Sequence, residues 1–137
     1  MEKADFRNYR LLAAEVQQLK DQLAVLESSL YSPKGQRFTS TPRAPSGAGS
    51  TMDGAVERHI QLEELYRSQL AEKEAQQIGI ERAIMALSDA AERVVMRERY
   101  IEGRGWTAVI CKLQKLGYSE RQVYRLHGYA LLHLKEA

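Results

Sequence analysis

Five residues close together near the end of the chain, Ser119, Arg121, Gln122, Tyr124 and Arg125, carry the chemistry of a surface that reads nucleic-acid bases. Arginine presents a planar fork of donors that matches the O6 and N7 acceptors of guanine. Glutamine, with one donor and one acceptor, can bracket adenine. Serine and tyrosine hydroxyls bond phosphate oxygens and so fix the register of a protein on a duplex. The spacing says how these groups are presented. Ser119 followed by Gln122 is a capping box that starts a helix. Behind it Val123, Leu126, Ala130 and Leu134 recur at spacings of three, four and four, which predicts an apolar rear and leaves the polar groups at the front, near the helix N-terminus.

A helix that reads DNA needs a second helix to hold it. Trp106, Val109, Ile110, Leu113 and Leu116 form an amphipathic stripe that stops at Gly117. The pairing of that helix, a short turn and the capped one is the helix-turn-helix plan, whose second helix enters the major groove with its N-terminal residues leading. Lys112, Lys115 and Arg104 are the secondary candidates, as phosphate-positioning groups. Upstream, Asp89 and Glu92 are spaced as another capping box, and the helix they start runs through Val94, Val95 and Tyr100 to a glycine stop at Gly103. Trp106 is expected to anchor the core and Cys111 to be a core or boundary residue. Arg93, Arg97 and Arg99 are expected on a solvated face.

The stretch LSDAAERVVMRERYIEG, then GW, then GYSERQVYRLHGYALLHL resembles the DNA-binding region four of sigma factors. It is most similar to the small phage and prophage transcriptional regulators of the ArpU and RinA type, through Arg99–Gly103, Trp106, Tyr118–Ser119 and Gln122–Leu131. The resemblance spans roughly Asp89 to Leu134. It implies promoter DNA as the partner, transcription of phage or mobile-element genes as the process, and possible contact with RNA polymerase. The span from Trp106 to Ser119 is slightly longer than in those proteins, so the residues around Gln114, Lys115 and Leu116 either lengthen the helix or enlarge the turn. Glu98 stands where an apolar residue is usual.

Ahead of this region the chain reads as three pieces. Residues 1–30 form a coiled-coil-like helix, with Tyr9, Leu12, Val16, Leu19, Leu23, Leu26 and Leu30 spaced alternately three and four apart and Asp5 or Asn8 as candidate caps. Such a stripe serves equally to pack on another helix of the same chain or to form a homodimer. Residues 31–52 contain all three prolines and read as a flexible Pro/Gly/Ser linker. Residues 53–87 form a second long helix whose polar middle, Glu72–Gln77, interrupts its apolar stripe. Its first half is expected to pair with the first helix and its last turns to join the terminal region, residues 88–137.

The expected fold is therefore all-α, with long N-terminal helices in a coiled coil or helical hairpin followed by a small helix-turn-helix domain. Residues 1–87 hold eleven Lys/Arg against twelve Asp/Glu, while residues 88–137 hold nine against six, so the mild basicity lies where DNA contact is expected. A single cysteine excludes an internal disulfide. No long apolar run occurs, and the expected location is cytoplasmic, away from membranes. His127 and His133 lie on different sides of a helix without a completing ligand set, so neither a metal nor another cofactor is expected. No phosphate loop, nucleophile elbow or carboxylate pair suggests an enzyme. Two other functions fit the pattern: a phage DNA-packaging protein of the small terminase kind, and a coiled-coil adaptor that binds RNA polymerase rather than DNA.

Overall fold

The computed structural model describes residues 1–31 and 48–136, with side chains described at 1–28 and 54–136. Every regular element among them is helical: α1 (Lys3–Arg7), α2 (Tyr9–Tyr31), α3 (Ala48–Met85), α4 (Ala90–Met96), α5 (Trp106–Lys115) and α6 (Glu120–Glu136). The fold is all-α. A π-helical turn, Arg97–Ile101, continues α4 without a break.

The chain divides into two compact units that do not follow its linear order. One joins Met1–Ala14 to Ala75–Ala137, and the other comprises Glu15–Glu74. α3 divides between the units, its last turns lying with the terminal region as expected, and α2 divides as well, with Tyr9–Ala14 in the unit of the terminal helices. Residues 32–47 of the expected linker lie outside the described residues. Its remaining part is helical, since α2 includes Tyr31 and α3 starts at Ala48 rather than near Asp53.

In the unit of Glu15–Glu74, Val16 and Leu23 are buried while Leu19 and Leu26 are half-buried. Here the alternating stripe is covered within the chain. Lys73 pairs with Glu15 and Arg67 with Glu27, both at 2.9 Å, and His59 Nε2 donates to the carbonyl of Leu26 at 2.8 Å. The ion pairs are largely solvated and set register more than stability. The side chain of Leu30 lies outside the described set.

In the other unit the start of α2 has a different task. Tyr9 and Leu12 join Phe6 of α1, Ile80, Ile84 and Leu87 at the end of α3 and beyond, Met96, Tyr100, Ile101, and Ala130 and Leu134 of α6 in one apolar cluster. Asp5 caps the short α1, accepting the Glu2 backbone N–H at 2.8 Å, and Asn8 forms the joint between α1 and α2, so neither caps a single long helix. Arg10 fastens the joint by donating to the Ile101 carbonyl at 3.0 Å.

A second cluster, Val95, Val109, Leu113 and Val123, joins α4, α5 and α6, with Val94, Trp106, Ile110, Tyr118 and Leu126 half-buried around it. The π turn makes both clusters reachable from one element. Val95, Met96, Glu98, Tyr100 and Ile101 are all buried, a sequence of spacings that no single face of a regular α-helix provides.

Phe6 is fully buried although it lies six residues from the chain start. Phe6→Ala should lower unfolding stability by about 3–5 kcal/mol, as for other buried aromatics. Denaturant unfolding checks this, and a loss typical of a frayed terminus would show that α1 does not support the terminal helices.

Candidate nucleic-acid interface

The turn from α5 into α6 is determined by backbone geometry at one residue. Gly117 has φ of +98°, the left-handed region where a side chain would be strained. With it in place, Gly117 N–H donates to the Gln114 carbonyl and Tyr118 N–H to the Leu113 carbonyl, each at 3.0 Å. This is the Schellman pattern that closes a helix, and Tyr118 packs against the apolar cluster that contains Leu113. Gln114 and Lys115 lie within α5, and Leu116 caps its end.

The expected cap at Ser119 forms in both directions. Ser119 N–H donates to Gln122 Oε1 at 2.8 Å, and Gln122 N–H donates to Ser119 Oγ at 3.2 Å. The cap occupies one lone pair of the Gln122 side-chain oxygen and leaves its Nε2 donors free. The corresponding box at Asp89 does not form. Asp89 accepts from the Ala91 N–H at 2.9 Å, but the Glu92 carboxylate is buried and meets His133 Nδ1 at 2.7 Å instead.

Along α6 the buried residues are Val123, His127, Ala130 and Leu134, with Leu126 half-buried. His127 therefore belongs to the core face, which residue type alone concealed. Its Nε2 is hydrogen-bonded to the Tyr100 hydroxyl at 2.7 Å, and its ring meets Trp106 edge-on with centroids 4.7 Å apart. Burial, then the positive charges of Lys3 and Arg99, lower its pKa to about 4, so the ring is neutral near pH 7.

Ser119, Arg121, Gln122, Tyr124 and Arg125 are all exposed at the leading end of α6. Arg121 and Arg125 have no ion-pair partner among the described residues. Tyr124 is 45% exposed, and one side of its ring leans on Trp106 with centroids 5.2 Å apart. Its orientation is thus fixed by α5. Trp106 is half-buried, an anchor at the domain edge rather than in its centre.

The secondary candidates divide. Lys115 is exposed at the end of α5 without an ion-pair partner among the described residues. Lys112 and Arg104, by contrast, converge on Glu98, which is only 7% exposed. Lys112 Nζ contacts Glu98 Oε1, and Arg104 Nε lies 2.6 Å from Oε2 without a well-directed hydrogen bond, so that contact is chiefly electrostatic. Sequence reasoning flagged Glu98 only as a polar residue at an apolar position. The pairing was hidden because Lys112 and Arg104 come from different elements.

Two other expectations are corrected. Cys111 is exposed and not part of the core. Of the three arginines expected on a solvated face, Arg97 is exposed, whereas Arg93 and Arg99 are half-buried and engaged within the chain. Arg93 donates to the Leu87 carbonyl, Arg97 lies 3.8 Å from Glu81, and Arg99 covers the Trp106 ring at 4.8 Å while donating to the Arg104 carbonyl. No helix among the described residues is long and apolar enough to cross a membrane, and no group of His, Cys, Asp and Glu among them is arranged to hold a metal ion. No protein family, curated protein or solved structure matches this chain.

Two stability predictions follow from the buried ionisable groups. Glu98→Met should keep or raise the thermal midpoint, because an apolar side chain of similar length removes the cost of desolvating a carboxylate. The double replacement Arg104→Ala, Lys112→Ala should lower it by leaving the carboxylate alone, and the reverse ranking would contradict this account. For His127, the unfolded ring binds a proton below its ordinary pKa of 6.5 while the folded ring does so only near 4. The resulting stability is fully present above pH 6.5 and is lost as pH falls toward 4. His127→Gln should therefore flatten the parent's loss of stability across that window, measured by urea unfolding at a series of pH values.

Proposed function

We propose that this chain is a sequence-specific double-stranded DNA-binding transcriptional regulator, of the phage or mobile-element kind, that reads the major groove with the leading end of α6. The observation that carries this reading is the division of α6 into two faces. Val123, His127, Ala130 and Leu134 are buried, while Arg121 and Arg125 stand exposed and unpaired among the described residues one turn apart, behind a two-way cap. No Asp or Glu occurs between Arg121 and Lys135, so no carboxylate of α6 in that span opposes approach to phosphate.

The roles follow from the geometry. Arg125 and Arg121 are the base-reading groups, each with a fork suited to guanine. Tyr124, braced by Trp106, reaches a phosphate or a thymine methyl. Ser119 and Gln122 set the start of the helix, and the Nε2 donors of Gln122 remain available to a base while the cap is closed. Lys115 positions the phosphate backbone, whereas Arg104 and Lys112 share Glu98 and offer one net positive charge between them. A homodimer and a contact with RNA polymerase belong to the same proposal, and the stripe on α2, being covered within the chain, favours another surface for either.

The test is selection of preferred sites from random or genomic duplexes with the purified protein, followed by binding measurements across salt concentrations. A falling affinity with rising salt is expected, because each phosphate neutralised releases counterions. Arg125→Ala should weaken the preferred site by about 1–3 kcal/mol and relax one base position. Failure of the parent protein to enrich any duplex would overturn the proposal. Equal binding by Arg125→Ala would displace the reading face from α6.

A further inference from the structure

Gly128 is an unusual residue at its position. It lies inside α6, where glycine costs about 0.5–1 kcal/mol relative to alanine in helix stability. Within the chain nothing repays that cost. The residue is exposed, its φ is not in the left-handed region, and a Cβ built on it would meet nothing within 4 Å among the described residues. Neither a turn nor close packing inside the chain requires glycine there.

Its neighbours on the helix surface say what lies outside. Arg121, Arg125, Gly128, Leu132 and Lys135 recur at spacings of four, three, four and three, so they share the outward side of α6, and all five are exposed. Two arginines precede the glycine and a lysine follows it, with no carboxylate between the first and the last. A bare stretch of backbone framed by cations suits a polyanion better than a second copy of this surface, which would bring like charges together.

Gly128 is also placed where the path of such a polyanion would pass. It lies eight residues beyond Glu120, about 12 Å along the axis from the helix start. A helix that enters a groove with its first turns must pass the wall of the groove further along. The sugar-phosphate strand is that wall.

We propose that Gly128 is a close-approach point at which α6 seats against one sugar-phosphate strand, so that the absent side chain sets how deeply Arg121 and Arg125 enter the groove. This rests on the DNA-binding reading of α6 and adds to it a specificity-determining position that contacts no base.

The test uses the full chain, the duplex recovered by selection with the parent protein, and the variants Gly128→Ala and Gly128→Gln. Because alanine is the better helix former, Gly128→Ala should raise the thermal midpoint by roughly 2–4 °C. The same variant should bind the selected duplex about tenfold more weakly, and Gly128→Gln more weakly again, since added volume in a filled contact is penalised by size. A more stable Gly128→Ala protein that binds like the parent would overturn the inference while leaving the DNA-binding reading intact. Absence of duplex binding by the parent would overturn both. Loss of self-association by sedimentation, with unchanged duplex affinity, would assign the position to a second copy and overturn the strand-contact assignment.

Discussion

The single widened turn at Arg97–Ile101 is the constraint on which the terminal helices depend. A regular α-helix would carry the residues after Met96 around one face, and either Tyr100 and Ile101 or Glu98 would turn to solvent. The π turn places all of them inward. Tyr100 and Ile101 then meet Phe6, Tyr9 and Leu12, while Val95 immediately before the turn reaches Val109, Leu113 and Val123. One element thus supports two apolar clusters on different sides. Glu98 supplies the polar member of the same turn and draws Arg104 and Lys112 to it from the loop and from α5.

The aromatic contacts extend this support to the front of α6. Tyr100 holds His127 by a hydrogen bond, His127 meets the edge of Trp106, and Trp106 in turn braces Tyr124. Arg99 closes the ring from the other side. A chain of packed rings therefore runs from the buried turn to an exposed residue of the proposed reading face. The neutral state of His127 suits that role, because a charge on the ring would have to be solvated between two aromatic neighbours. The same protonation that weakens the fold in acid would also loosen Tyr124.

Much of this was legible in the sequence, and the reason is local. Caps, glycine stops and apolar spacing depend on residues a few positions apart, so the Ser119–Gln122 box, the stops at Gly103 and Gly117, and the buried Val123, Ala130 and Leu134 could be read directly. What failed to show was long-range. Tyr9 and Leu12 belong to the same regular stripe as Val16 and Leu23, yet they pack in a different unit. Periodicity specifies which face is apolar but carries no information about what covers it. Glu92 fits a capping box by spacing, but its carboxylate is buried and meets an exposed histidine forty-one positions away instead.

The candidate site was legible to a different degree than the fold. Residue type identified Arg121 and Arg125 as free cations on an outward face, and those are the groups with no ion-pair partner among the described residues. It ranked Arg104 and Lys112 beside Lys115 as secondary, phosphate-positioning groups, but a buried carboxylate sets those two apart from Lys115. Glu98 offsets one of the two charges beside it, so Arg104, Lys112 and Glu98 together carry a single net positive charge rather than two. The long-range attraction of this surface is therefore centred on α6 and Lys115, not spread evenly over every basic residue of the terminal region. On the proposed reading, uncompensated charge beside Gly128 would orient a polyanion along α6 as it approached, so steering and docking would act on the same face of one helix.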